Sequence, residues 1–201
     1  IFEDVNNDGQ LDSKDMKFMG YIRPDKVGGI VNSFKYKGLT VRVVMDWAMG
    51  HVIDNGFKGQ IMGSSRNNNN AIKDAMTNSW QSANDGTKYP KYTVQSDYDY
   101  QYRNHMRWDN QIGSSESGST NNSLYFSKGD YLAFREVSLS YMLPSTWVRK
   151  IRLSGVEVFA GAYNIGYIKK YDGMFPEIYT GVDYGVYPRP RQYNMGVKIN
   201  F

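Results

Sequence analysis

The stretch QYNMGVKINF, residues 192–201, constrains this chain more than any other. Tyr193, Met195, Val197, Ile199 and Phe201 fall on alternate positions, with Gln192, Asn194, Gly196, Lys198 and Asn200 between them. Successive side chains of a strand point to opposite faces, so this segment predicts a strand with one apolar and one polar side. Its length matches the ~9–11 residues that a tilted strand needs to cross a bilayer. A slip of one residue would carry Lys198 to the apolar side and turn every apolar residue over, so the pattern also sets the facing. Tyr193, Met195, Val197, Ile199 and Phe201 are expected toward lipid, and Asn194, Lys198 and Asn200 toward a wet lumen. A charge at Val197 should therefore disturb assembly more than one at Gly196.

The same period recurs upstream. In LTVRVVMDWAM, residues 39–49, Leu39, Val41, Val43, Met45, Trp47 and Met49 alternate with Thr40, Arg42, Val44, Asp46 and Ala48. GGIVNSFKYKG before it alternates more weakly through Ile30, Phe34 and Tyr36, and the link between the two is short enough for a hairpin. In SLYFSKGDYLAFREVSLSYMLP, Val137, Leu139 and Tyr141 share one face, and Glu136, Ser138 and Ser140 the other. Leu132 and Phe134 are out of phase with that set, which predicts a bulge near Phe134. Pro144 ends the strand, STWVRKI reads as a modest turn, and RLSGVEVFAGAYNIGYI as the next strand.

Five strands result. Short links follow the first and third, while long polar loops occupy residues 1–25, 54–121 and 168–188. A soluble sandwich would carry comparable loops at both ends, whereas short turns on one side and long loops on the other mark an outer-membrane barrel. The expected class is all-β: an antiparallel transmembrane β-barrel segment of about five strands, with long extracellular loops. Arg42, Asp46, Glu136, Glu157 and Lys198 would line the lumen. Within the middle loop a short helix is expected between Ala71 and Trp80.

Composition narrows the function. Tyrosine alone counts 17 among 201 residues, which suits surfaces that are half apolar and half wet. The net charge of +4 permits an anionic partner, but the basic residues are scattered, and a nucleic-acid binder should show a focused stripe. The absence of cysteine removes disulfides, thiolate metal sites and cysteine nucleophiles together. His51 and His105 lie far apart in sequence and neither has a motif partner, so no enzyme activity is expected. The opening at Ile1 reads as a cut through a longer protein.

The first loop carries DVNNDGQLDSKD, residues 4–15, with the spacing of a twelve-residue calcium loop. Asp4, Asn6 and Asp8 stand at positions one, three and five, Gly9 at six, Gln10 at the backbone-carbonyl position, and Asp12 and Asp15 at nine and twelve. Aspartate at position twelve is closer to dockerin loops than to EF-hands. The alternative is a polar turn, since Asp and Asn form turns without metal. With calcium, the ion would be a structural staple. In the long middle loop, Tyr98, Tyr100, Tyr102 and Trp108 are candidates for lid packing or contact with a sugar. Trp47 and Trp147 are candidates for an interfacial girdle.

Several of these stretches resemble the C-terminal part of the SusC/RagA family, the TonB-dependent outer-membrane transporters of Bacteroidetes. The acidic loop leading into GYIRPDKVGGIVNSFKYKGLTV resembles the family's passage from a loop into a barrel hairpin. GDYLAFREVSLSYMLP, YNIGYIKKYDGMFPE and YPRPRQYNMGVKINF resemble its later strands, including a closing strand with a terminal phenylalanine. The middle loop matches only loosely. The resemblance implies a 22-stranded barrel in the outer membrane, with an N-terminal plug and a SusD-like lipoprotein as lid. A glycan or a peptide would be imported at the expense of energy delivered by TonB. The alternative is a secreted calcium-stabilised β-module for adhesion or carbohydrate binding. A small self-closing barrel would need at least eight strands.

Overall fold

The computed structural model describes residues 3–9, 13–62, 72–83, 85–87, 89 and 123–201. Its strands are β1 (Lys26–Tyr36), β2 (Leu39–Met49), β3 (Val52–Asp54), β4 (Phe126–Lys128), β5 (Tyr131–Met142), β6 (Gly155–Lys169) and β7 (Gln192–Asn200). Among the described residues three short helices accompany them: α1 (Gly56–Met62), α2 (Lys73–Thr77) and α3 (Ser145–Val148). The long strands form one antiparallel sheet in the order β1-β2-β5-β6-β7, and β3 pairs with β4 alone. Among the described residues no helix is long and apolar enough to cross a membrane, which leaves crossing by strands untouched.

The chain divides into two compact units. One, residues 23–51, 129–176 and 187–201, holds the five-stranded sheet. Its first hairpin turns on Lys37 and Gly38, both with positive φ (47° and 85°). That is the backbone of a two-residue turn whose twist matches the strands it joins. The β5–β6 link is longer and contains α3 and a 3-10 turn over Arg149–Ile151. Both links lie at one end of the sheet, where the Met142 N–H donates to the Gly38 carbonyl and the Ser154 N–H to that of Asn200 (2.8 Å each).

The expected bulge is present. Val44 faces Glu136 and Met45 faces Phe134, so Arg135 is an extra residue that stands opposite no residue of β2 in the ladder. Across β6 the same step leaves Asn164 and Ile165 opposite Arg135, with Asn164 in the left-handed region (φ 50°). The bulge brings the two halves of β5 into one phase. With it, Leu132, Phe134, Val137, Leu139 and Tyr141 share a face.

One expectation needs correction. Residues 123–144 are not a single strand: a 3-10 turn (Ser123–Tyr125) leads into β4, and β5 belongs to the other sheet. The break falls at Gly129 and Asp130, where a Cβ on Gly129 would stand 2.3 Å from His51 Nε2. Only glycine lets the imidazole lie there. The short helix expected between Ala71 and Trp80 is observed as α2.

The other unit comprises the described residues of 1–22, 52–128 and 177–186. Ala75, Tyr89 and Tyr125 form its small core, with Ile72 and Leu124 packed against it. The Asp54 N–H donates to the Gly181 carbonyl (2.9 Å) and the Asp183 N–H to the Asp54 carbonyl (2.8 Å), which ties in the last loop. Asn55 Oδ1 accepts the Lys58 N–H (2.9 Å) and so satisfies one of the free amides that start α1.

Candidate functional site

Register and alternation sort the sheet into two faces. Phe34, Val41, Leu139, Ala160 and Met195 lie in one row across the strands, and Ile30, Val43, Val137, Val158, Val197 and Ile199 belong to the same face. Much of this face is exposed, Met195 to 87% and Val197 to 57%. Asn32, mid-strand opposite Val43, is its one polar exception between Gly28 and Tyr36, and nothing in the structure explains it. Trp47 belongs here too, lying over Gly28, where a Cβ would meet its ring at 2.3 Å. Trp147 sits in α3 at the short-link end, 63% exposed.

The opposite face carries the charges, and they are cross-linked. Arg135 donates twice to Asp46, Nε to Oδ2 at 2.5 Å and Nη2 to Oδ1 at 2.8 Å, and once through Nη1 to the Tyr167 hydroxyl (3.2 Å). The bulge makes this possible, because it puts Arg135 on the same face as Glu136. Arg42 donates to Glu136 (3.3 Å), whose other oxygen accepts from Ser138 (2.7 Å). Glu157 and Lys198 are direct register partners. Phe159 covers Gly196, where a Cβ would stand 2.6 Å from the ring. Bidentate Arg–carboxylate pairs orient as well as attract, so this face is a cross-braced polar wall of the kind that can line an aqueous path. Of the charges expected on a lumen side, all five lie here.

Arg135 and the rim of the sheet were missed by motif reading. The out-of-phase pair Leu132 and Phe134 was the signal for Arg135, since the residue a bulge inserts changes its aim. At the long-loop end, Asp130 Oδ1 accepts the Gly50 N–H (2.8 Å) and Oδ2 accepts Lys170 Nζ (3.0 Å). Burial alone would raise the Asp130 pKa, but the Gly50 amide and the bond and charge of Lys170 together hold it below its usual value. His51 is buried at 5% exposure, and burial lowers its pKa against the opposing pull of Asp130. No local pattern marks its burial.

In the first loop Asp4, Asn6, Asp8 and Asp15 all take part in hydrogen bonds within the loop, but among the described residues no three His, Cys, Asp or Glu side chains are grouped as a metal site would group them. Asp4 accepts the amides of Asp8 (3.2 Å) and Gly9 (2.8 Å), Asn6 Oδ1 that of Asp8 (3.0 Å), and Asp15 that of Val5 (2.8 Å). Asn7 and Gly9 take positive φ (58° and 78°), which folds the segment on itself. Gln10 and Asp12 lie outside the described residues, as do Tyr98, Tyr100, Tyr102 and Trp108.

No family model matches the chain. TonB-dependent receptor P3 of Formosa agariphila is 25% identical over 213 residues, covering 100% of this chain and 19% of its own length. TonB-dependent receptor P39 of the same organism is 23% identical over 210 residues, covering 100% of this chain and 18% of its own length. TonB-dependent receptor SusC of Bacteroides thetaiotaomicron is 26% identical over 91 residues, 45% of this chain and 9% of its own length. The solved RagAB peptide transporter superposes with a TM-score of 0.70 at 21% identity, over 96% of this chain and 19% of that one. The RagAB peptide importer in its open-open state superposes at 0.63, 20% identical, over 90% of this chain and 17% of that one. The chain thus spans under a fifth of the length of the relatives it matches from end to end. Those proteins are named as receptors and as a peptide transporter.

Proposed function

We propose that this chain, a barrel segment of a SusC/RagA-type TonB-dependent receptor of the outer membrane, forms wall and loops of a nutrient importer. One observation carries the reading: a sheet of five strands, each of 9 to 15 residues, that is apolar and exposed on one face and polar and ion-paired on the other. Lipid satisfies the first face and a hydrated lumen the second. A secreted β-module would leave the apolar face in water, and would leave the outer edges of β1 and β7 open to aggregation. The rest of the barrel and a plug complete the wall, and TonB delivers energy through a part of the protein outside this chain. The long loops face the cell exterior, where a SusD-like lipoprotein serves as lid. The cargo is a glycan or a peptide, and the relatives' names include both SusC and a peptide importer.

The test is uptake by cells carrying or lacking the whole gene, with labelled oligosaccharides and labelled peptides supplied in parallel. Loss of one class of uptake identifies the cargo. Unchanged uptake of both, with the protein fractionating as soluble, would overturn the reading.

Calcium belongs to the same proposal as a structural ion of the first loop. What supports it is the chemistry of the donors: Asp4, Asn6, Asp8 and Asp15 offer hard oxygens from one short segment, and an ion would have to draw the carboxylates closer, since among the described residues no three of them are grouped. A carboxylate oxygen that accepts one amide keeps a lone pair for a cation. Gln10, through its carbonyl, and Asp12 would complete the set. Bound calcium would hold the loop closed against the mutual repulsion of its carboxylates. Metal analysis of the purified full-length protein should find about one calcium more than in the Asp4→Ala/Asp8→Ala variant, as expected for a single loop of this type. Equal content in both would remove calcium from the proposal.

A further inference from the structure

At the long-loop end of the sheet three strand ends converge on one small polar group that no role described so far uses. We propose that His51, Asp130 and Lys170 form a proton-sensitive latch, which holds the ends of β2, β5 and β6 together near neutrality and loosens on mild acidification.

The geometry comes first. Asp130 precedes β5 and takes the Gly50 N–H from the end of β2 on one oxygen and Lys170 Nζ from the end of β6 on the other. Its backbone carbonyl accepts the Lys170 N–H as well (3.0 Å). The next residue after Gly50 is His51, whose carbonyl accepts the Gly129 N–H (2.8 Å). The imidazole lies over Gly129, so close that a Cβ there would overlap Nε2. His51 Nδ1 is fully buried and has no hydrogen-bond partner among the described residues. Asp25 adds a second carboxylate beside Gly50, where a Cβ would collide with it, and its own N–H donates to the Met49 carbonyl (3.2 Å).

A neutral imidazole tolerates one unbonded nitrogen, because a bare lone pair in an apolar place costs less than an unpaired charged N–H. The imidazolium carries N–H on both nitrogens, so protonation would put a positive N–H at Nδ1 with nothing to accept it. The charge acting on the ring is that of Asp130, and Lys170 already claims it. Burial outweighs that attraction, and the closed rim keeps His51 below its ordinary pKa of 6.5. The sign follows from linkage: the open rim binds the proton more readily, so the stability of the closed rim is full above the ordinary histidine value. It is lost progressively as pH falls below it. Asp130 works in the same direction but in a lower window, beneath the ordinary aspartate value of 3.8, so the two groups are separable by pH.

Three amides report the latch directly: Gly50, Gly129 and Lys170. Hydrogen exchange of the full-length protein in detergent, at about pH 7.5 and about pH 5, is corrected for intrinsic exchange and followed at both ends of the sheet. Protection at those amides should fall by up to about tenfold for each pH unit separating the open and closed histidine values. Protection of Met142 and Ser154, at the short-link end, should hold. His51→Gln should remove the acid response, and Gly129→Ala should loosen the rim at both pH values by displacing the ring. No acid response in the unaltered protein, an equal response at both ends, or the same response in His51→Gln would each overturn the latch. If His51→Gln does not assemble, the contrast between the two ends in the unaltered protein decides.

Discussion

The sheet and the loop body place their apolar side chains in opposite ways. In the loop body Tyr125 and Ile53 are almost wholly buried, and a handful of residues make a core of the ordinary water-soluble kind. In the sheet Val197, Ile199, Leu139 and Phe34 stand out from the surface, while on the other side Arg135 meets Asp46 and Arg42 meets Glu136. The same physics produces both. Apolar surface leaves water wherever it can, into a protein core in one region and into hydrocarbon in the other. An exposed valine is thus a statement about the solvent beside it.

Four substitutions would break or sharpen that contrast. The largest effect belongs to the loop body: Tyr125→Ala truncates a tyrosine that is 1% exposed in its small core and should cost ~3–5 kcal/mol, as large aromatic truncations do. Limited proteolysis should then cut near β3 and β4 while the five long strands stay protected. Collapse of the whole sheet would show that the two units are not separately stable.

Next comes the lipid side. Val197→Lys should cost ~2–4 kcal/mol of assembly if the strand centre lies near the bilayer midplane, whereas Asn194→Lys on the polar face should cost almost nothing. Asn194 replaces Gly196 as the control, because Gly196 lies under Phe159 and any side chain there would press on the ring. Heat-modifiable mobility of the assembled barrel reads the difference, and equal tolerance at 194 and 197 would reverse the facing.

On the lumen side, Asp46→Asn removes the charge that Arg135 grips with two hydrogen bonds. The expected cost is ~1.5–3 kcal/mol, moderated because Asp46 is partly exposed. Double substitution with Arg135→Gln should cost less than the sum of the two single changes, since the pair acts as a unit. Strict additivity would mean that the two do not interact. The smallest effect is at the hairpin: Gly38→Ala should cost ~1 kcal/mol for the positive φ, plus some displacement of the Met142 carbonyl 2.7 Å from the new Cβ. Unchanged thermal stability would argue against the two-residue turn.

Much of the sheet was legible because period two survives in the sequence wherever the two faces meet different solvents. Even the bulge left a trace, in the broken phase of Leu132 and Phe134. The loop body left almost none. Its ties run between backbone groups far apart in the chain, Asn55 to Tyr125 and Phe57 to Asp183, and a backbone amide carries no sequence signature. The acidic spacing of the first loop is written in the sequence, but its fold also rests on bonds across five and ten residues, from the Gly9 N–H to Asp4 and from the Val5 N–H to Asp15.

By itself, then, the amino-acid order determined the five long strands, the sorting of their side chains into two faces, the hairpin turn and the place of the bulge, all of which depend on neighbours within a few residues. Tertiary structure decided which strands adjoin, and that Arg135 meets Asp46 across 89 residues of chain. It decided that 126–128 leaves the main sheet to pair with 52–54, and that His51 is buried over Gly129. The physical reason is range. Alternation is enforced residue by residue through the pleat, but a partner's identity depends on which distant segment pays the loop-closure entropy to arrive, and that cost is written in no single stretch.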